Sequence, residues 1–261
     1  MTLVSTEPKK IYLCMDVTPI TTSGIYHNSN LWLISLSSDG SNWITIADKN
    51  LWATSTDITS TDSYWNYYQW WNNHWFSYAE AIWGTITTSS TQVNASNYWP
   101  WSYYNSSTFI TSWSALKGRW DTSNNSNLWW GTTWTNDAMK WPCPEWFHIP
   151  SMSEWIAVFG MLNTTMWITP NNIRTYLKYP QSWFIWYDWW TSPSYTTNAY
   201  MRYSTRKWNE SWYYYSYNTS FLPASNYIDY QDYTYNTYWL PIRPFKNEAV
   251  QPRVWEWTKL N

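Results

Sequence analysis

The sequence predicts an α+β fold in which two helices separate a first strand from a group of later strands. Three observations lead to this prediction. Residues alternate with a period of two directly after Ser41, helical periodicity begins at Ser151 and again at Pro170, and Tyr-rich runs follow. A wound parallel sheet would need strands and helices in regular alternation, which this order does not provide.

The first strand follows a turn cluster at residues 37–41. Ile44 and Ile46 alternate with Thr45 and Ala47, as in a strand with one buried face. Residues 54–127 are mostly Ser, Thr, Asn and Tyr with weak periodicity. We expect long loops with short elements there, including a helical turn at residues 78–82.

The first helix has a capping signal. Ser151 and Glu154 form a capping box, in which each side chain satisfies a backbone N–H of the other residue. Apolar residues then recur on one helical face at Trp155, Val158, Phe159 and Leu162. A shorter helix is predicted after Pro170-Asn171, with an apolar face of Ile173, Tyr176 and Leu177.

Three later runs predict strands, at residues 199–204, 212–219 and 238–245. The first two are rich in Tyr, which is typical of strands. The third contains Pro241 and Pro244. Proline removes a backbone donor, so this run favours an edge strand or a chain end.

Charge and hydropathy exclude two classes of partner. The formal net charge is −2, and the 15 basic residues form no run longer than Lys9-Lys10, so we expect no nucleic-acid partner. No uncharged apolar stretch reaches the roughly 18 residues of a membrane span. Residues 1–7 lack the layout of a signal peptide, so an exported protein would begin upstream of this chain.

Two cysteines are too few for a disulfide framework. Cys14 and Cys143 have no metal-ligand spacing, and Cys14 lies far upstream. A single bridge between them stays open, but we expect Cys143 to be a buried free thiol.

The chain contains 28 Trp and only 6 Gly. Average usage of about 7% would give roughly 18 Gly in a chain of this length. Trp also stands where a turn favours Gly, as in Asn42-Trp43, Asp188-Trp189 and Trp141-Pro142. One interpretation is that UGA codons read as Gly in the organism have been translated as Trp. The other is a truly Trp-rich protein with an aromatic sugar-binding surface.

Some tryptophans fit their surroundings under either interpretation. Trp155 lies on the apolar face of the predicted helix, and Trp70 and Trp129 have apolar or aromatic neighbours. The adjacent Trp71 and Trp130 would then be glycines.

Four segments carry a family resemblance: residues 44–54, residues 67–72, the segment from 142 to 155, and residues 239–247. They resemble the motifs of the Fibrobacter succinogenes major paralogous domain family. The third is similar to its signature, a Cys-Pro turn with an aromatic residue and a Pro before a capped helix, here Pro142, Cys143, Pro144, Trp146, Phe147, His148, Pro150, Glu154 and Trp155.

The resemblance implies a C-type-lectin-like domain at residues 41–247. Residues 1–40 would be a leader or the end of a preceding domain, and residues 248–261 a polar tail. It also implies Gly at Trp52, Trp71, Trp146 and Trp239. Pro244 stands where many relatives have a cysteine, so the expected disulfide partner of Cys143 is missing.

No residue pattern predicts catalysis, a cofactor or a metal. We place His27 in a polar loop, His74 in an Asn-rich stretch, and His148 packed within the signature with its ring satisfied. No serine lies in an elbow motif of the kind that surrounds a catalytic nucleophile. Thr135-Asn136-Asp137 and Pro144-Glu145 weakly resemble calcium-ligand motifs, and we interpret both as solvated turns.

The resemblance therefore implies a non-catalytic bacterial module, extracellular or on the cell surface, that is ligand-binding or adhesive and has an unknown glycan or protein ligand. Tyr-rich runs such as residues 212–215 could contact such a ligand or cover the core. A purely structural surface domain is the alternative. An enzyme related to formylglycine-generating oxidases is disfavoured, because those enzymes need reactive cysteines.

Overall fold

A computed structural model provides the fold. It describes residues 19–64, 66–69, 72, 74–77, 80, 85–89, 91, 106–110, 142–165, 168–182, 199–207, 215–235, 238–249, 251–252 and 258–260. The predicted turn at 78–82 lies almost wholly outside these residues. So do Trp70, Trp71, Trp129, Trp130, Thr135-Asn136-Asp137 and residues 212–214.

The largest sheet of the described residues has six strands, namely β1 (Gly24–Asn28), β2 (Leu33–Ser37), β3 (Ile44–Ala47), β8 (Phe147–His148), β13 (Phe245–Lys246) and β14 (Thr258–Leu260). Their order is β14-β1-β2-β3-β13-β8, and every pair is antiparallel. The predicted strand at Ile44–Ala47 is confirmed as β3.

Three smaller sheets complete the strands of the described residues. An antiparallel sheet has the order β11-β10-β9, another has the order β12-β4-β5, and β6 pairs with β7 in parallel. Their bounds are β4 (Asn66–Gln69), β5 (Phe76–Ser77), β6 (Thr87–Ser89), β7 (Thr108–Ile110), β9 (Ala199–Lys207), β10 (Tyr215–Leu222), β11 (Tyr227–Tyr235) and β12 (Trp239–Leu240).

Both predicted helices are present, as α1 (Met152–Thr165) and α2 (Pro170–Tyr176). The capping box of α1 is formed, because the Ser151 amide donates to Glu154 Oε2 at 2.7 Å and the Glu154 amide to Ser151 Oγ at 3.3 Å. Thr169 caps α2 by accepting from the Asn172 amide. With two helices and mostly antiparallel strands in several sheets, the described chain has an α+β fold.

The main core lies between the six-stranded sheet, the two helices and the sheet of β9–β11. The predicted apolar face of α1 is buried there in full. Each such side chain contributes about 1.5–3 kcal/mol when fully buried. From the sheets, the core receives Ile25, Ile34, Leu36, Ile46, Ala199, Met201, Tyr203, Phe221 and Phe245.

The sheet crosses both predicted domain boundaries. Strands β1 and β2 lie within residues 1–40, and β14 lies within the predicted tail 248–261. All three belong to the same sheet as β3 and β13. The sequence around β2 contains an apolar run from Leu31 to Leu36, although residues 1–40 were predicted to be a leader or the end of a preceding domain.

The segment 239–247, which we call the closing segment, joins two of the sheets. Its β12 pairs with β4, whereas its β13 lies between β3 and β8. The expectation of an edge strand or chain end therefore holds for β12 and is wrong for β13. Pro241 and Pro244 cause no conflict, because both lie between the two strands and accept hydrogen bonds there through their carbonyls.

Arg243 is the main polar residue of the closing segment. It is fully buried, and its guanidinium donates to Asn50 Oδ1 and to the carbonyls of Ala47, Leu177 and Lys178. Burial lowers the pKa of Arg243 to about 10, which leaves the side chain charged at neutral pH. One side chain thus ties β3, the loop after it and the C-terminal end of α2 to the closing segment.

Five described residues other than Gly have a positive φ, namely Trp32, Trp52, Trp146, Lys178 and Asn226. Trp155 and Trp239, by contrast, are fully buried in a helix and a strand. Trp239 stacks on Phe76 at 4.1 Å between ring centroids. The expectation of a glycine at Trp239 therefore conflicts with its packing.

His27 does not lie in a polar loop, and that prediction is wrong. It belongs to β1, is 7% exposed, and its Nε2 lies 2.8 Å from the Tyr176 carbonyl. Because a carbonyl only accepts, Nε2 carries the proton. Burial lowers the pKa of His27 from 6.5 to about 4, and the charges of Lys178 and Arg243 act in the same direction.

We predict that Arg243→Lys destabilises the protein by about 3–5 kcal/mol, measured by urea unfolding. Lysine keeps the charge but cannot reach four acceptors, so buried carbonyls lose their donors. The matched control is Arg174→Lys, since the Arg174 side chain is only partly buried and its Nε has no hydrogen-bond partner. Similar losses in both variants would contradict the role given to Arg243.

We predict that stability falls as the pH drops from 6.5 to about 4, by up to roughly 3 kcal/mol from His27 alone. The unfolded chain binds a proton in this window and the folded chain does not, so acid favours unfolding. His27→Gln should remove this part of the pH dependence in urea titrations across the window. An unchanged slope in His27→Gln would contradict the assignment.

Candidate functional site

The signature segment folds as a tight turn followed by the short strand β8. Pro142 and Cys143 are buried, Pro144, Glu145 and Trp146 are exposed, and the chain is buried again from His148 to Pro150. The Phe147 amide donates to the Pro144 carbonyl at 3.1 Å, which closes the turn. The segment is therefore anchored at both ends and presents only its turn to solvent.

A polar chain holds the segment to α1 and to the end of β13. His148 Nε2 lies 2.8 Å from Glu154 Oε1, and His148 Nδ1 lies 2.9 Å from Asn247 Oδ1. The other carboxylate oxygen, Glu154 Oε2, accepts from the amide and hydroxyl of Ser151. His148 is thus a packed ring with both nitrogens hydrogen-bonded, and it fixes β8 against α1 and the end of β13.

Two opposing effects act on Glu154. Burial raises the pKa of its carboxyl, but the hydrogen bonds from His148 and Ser151 together outweigh burial and hold the pKa below its ordinary value. The stabilisation is therefore present above the unfolded-state pKa and is lost as the pH falls through the folded-state pKa.

Cys143 is a buried free thiol, as predicted. Burial raises the pKa of the thiol well above its ordinary value, so it stays protonated and unreactive at neutral pH. Cys14 lies outside the described residues.

An open groove of about 560 Å³ runs beside the signature turn. Its lining is mainly apolar and comes from four places in the chain: the β1–β2 loop, the segment from Ala47 at the end of β3 to Thr54, the signature, and Pro244 of the closing segment. The lining residues are Leu31, Trp32, Ala47, Lys49, Asn50, Leu51, Trp52, Ala53, Thr54, Pro144, Phe147 and Pro244.

The floor and the rim of the groove differ. Leu51 and Ala53 are buried floor residues, whereas Leu31, Trp32 and Trp52 are exposed at the rim. Lys49 is the cation of the lining, and its Nζ lies 3.7 Å from the centroid of the Trp32 ring. The groove therefore offers an apolar surface with one positive charge.

No sequence pattern predicted that these groove residues would meet. Leu31 lies within residues 1–40, which were predicted to be a leader or the end of a preceding domain, and Lys49 and Leu51 lie within the motif at residues 44–54. Their approach depends on the pairing of β2 with β3 and of β3 with β13, which one sequence does not reveal.

The described residues contain no group of three or more His, Cys, Asp or Glu side chains arranged to hold a metal ion. His74 lies in a loop and contacts Trp75 and Phe76 through its ring. Pro144-Glu145 forms an exposed turn. Within the described part of the chain, no helix is long and apolar enough to cross a membrane.

Comparisons of the chain with protein-family models, with curated proteins and with solved structures found no match.

We predict that Glu154→Gln destabilises the protein by about 1–3 kcal/mol at neutral pH, measured by urea unfolding, because the buried His148 ring loses a charged partner. Glu145→Gln is the control, since it makes the same change at an exposed carboxylate nearby and should shift stability by less than about 0.5 kcal/mol. Equal effects would contradict the structural role of the pair.

Proposed function

We propose that this chain is a non-catalytic module of an extracellular or cell-surface protein, and that it binds a protein segment in the groove beside the signature turn. The observation that carries the proposal is the groove itself, an open and mainly apolar depression of about 560 Å³. Exposed apolar concavities of this kind mark binding sites in soluble proteins more often than chance surface features.

The lining argues for a protein ligand. Its aliphatic and proline side chains provide apolar contact. Of its polar side chains, Asn50 is buried and accepts from Arg243, so Lys49 and Thr54 are left for sugar hydroxyls. Lys49 adds one positive charge at the rim. A segment with apolar side chains and a nearby carboxylate would satisfy both features.

The signature supports the same proposal by holding one wall of the groove. Pro144 and Phe147 line it, and their backbone is fixed by the hydrogen bonds that His148 makes to Asn247 and Glu154. A rigid wall lowers the entropic cost of binding. Membership of the Fibrobacter succinogenes major paralogous domain family, with its C-type-lectin-like fold, is part of this proposal and rests on the four motifs.

The test uses a random peptide array and a glycan array, both probed with the purified chain. We expect selected peptides to share apolar residues next to an acidic residue. Leu31→Ser and Lys49→Glu should each weaken binding of those peptides at least tenfold, because one removes rim contact and the other reverses the charge.

Ile156→Ser provides the matched control. Ile156 is an exposed apolar residue of α1 that does not line the groove, so its substitution should leave peptide binding unchanged. Binding to glycans alone would contradict the protein ligand. Silence on both arrays would favour a purely structural surface domain.

A further inference from the structure

We infer that Trp32, Trp52 and Trp146 are glycine in the natural protein, and that UGA codons at these positions are read as glycine. Backbone angle and burial assign five of the seven described tryptophans by position, which composition alone cannot do, and this assignment holds whatever the groove binds.

The backbone at all three positions is left-handed. The φ angles are 58° at Trp32, 63° at Trp52 and 69° at Trp146. A few per cent of residues other than Gly adopt positive φ, and bulky residues do so as outliers. Here three of the seven described tryptophans do so. The seven are Trp32, Trp43, Trp52, Trp75, Trp146, Trp155 and Trp239.

Two of the three occupy the same turn position. The Ala53 amide donates to the Asn50 carbonyl, and the Phe147 amide donates to the Pro144 carbonyl, so each pair closes a four-residue turn. Trp52 and Trp146 are the third residues of these turns and have positive φ, whereas the second residues do not. This is the pattern of a type II turn, whose third position favours Gly.

Trp32 ends the loop of the β1–β2 hairpin. Its carbonyl accepts from the Asp48 amide at 2.9 Å, so the backbone is fixed by the neighbouring segment. A left-handed residue just before the returning strand is a common hairpin feature and is usually Gly.

The side chains at these positions add little burial to offset the strain. The exposed fractions are 48% at Trp32, 53% at Trp52 and 61% at Trp146. Trp155 and Trp239 differ in both respects, because they are fully buried and have ordinary helix and strand backbones. The structure thus assigns natural tryptophan to positions 155 and 239 and natural glycine to positions 32, 52 and 146.

Trp43 shows that sequence context alone does not identify the glycines. Its position after Asn42 favoured glycine in the sequence, but its φ is not positive and its ring packs edge-on against Tyr26 at 5.6 Å between centroids. A codon assignment based on neighbouring residues alone would therefore misplace some glycines.

Glycine at positions 32 and 52 changes the rim of the groove. With glycine at 32 and 52, the exposed rings are absent and Lys49 loses its cation–π contact. The floor of Leu51 and Ala53 and the wall of Pro144 and Phe147 remain. An aromatic sugar-binding rim would then be an artefact of translation with the wrong codon table.

The first test is the gene. UGA codons at 32, 52 and 146, with UGG at 155 and 239, would support the inference. UGG at all three of the former positions would overturn it.

The second test compares glycine and alanine at each position by urea unfolding. Alanine removes the ring but keeps the Cβ that opposes left-handed backbone. We expect each glycine variant to have a folding equilibrium constant about tenfold larger than its alanine counterpart, or about 1.4 kcal/mol. Equal stability of the two at all three positions would overturn the inference.

Trp239→Gly is the control for the assay. It should lower the folding equilibrium constant at least a hundredfold, because it empties a core site between Phe76 and Phe109. A loss smaller than tenfold would contradict the assignment of natural tryptophan at 239.

Discussion

Four hydrogen bonds from one buried guanidinium organise the centre of this fold. Arg243 bonds to Ala47 at the end of β3, to Asn50 in the following loop, and to Leu177 and Lys178 at the end of α2. A buried charge is costly unless its donors are satisfied, so this geometry is strongly selected once Arg243 enters the core. The groove lies beside this junction, with Ala47 and Asn50 in its lining.

A second polar connection lies at the end of the closing segment. His148 links β8 to Glu154 at the start of α1 and to Asn247 directly after β13. Arg243 and His148 thus fix the two ends of residues 243–247. These residues hold β3, β8 and β13 of the main sheet and both helices in one arrangement.

Local signals predicted the helices well. The pair Ser151 and Glu154 defines the start of α1 because capping depends on residues three apart, and the apolar face of that helix follows from its own spacing. The strand β3 was also predicted from alternation. Such features are contained within a few neighbouring residues.

Features that depend on distant pairing were missed. His27 has polar neighbours in sequence, but its burial comes from the pairing of β1 with β2 and from the approach of Tyr176. The groove likewise needs four separate segments of the chain to meet. Pro241 and Pro244 suggested an edge strand, and only the sheet order shows that β13 is internal.

The tryptophans show why conformation has to be considered together with composition. The excess of Trp indicates an anomaly over the whole chain, but it does not tell Trp52 from Trp239. Backbone angle and burial do, since the first is exposed with positive φ and the second is fully buried in a strand. Glycine at the turns and tryptophan in the core are compatible with one packed domain.

Native-state hydrogen exchange tests the central claim, that the closing segment is the junction of the fold. The amides of Ala47, Leu51 and Arg202 donate to the carbonyls of Pro244, Ile242 and Pro241 in that segment. The account predicts that all three exchange only through global unfolding, with the same free energy and the same dependence on denaturant. Exchange of any one through a local opening, several kcal/mol below global stability, would contradict it.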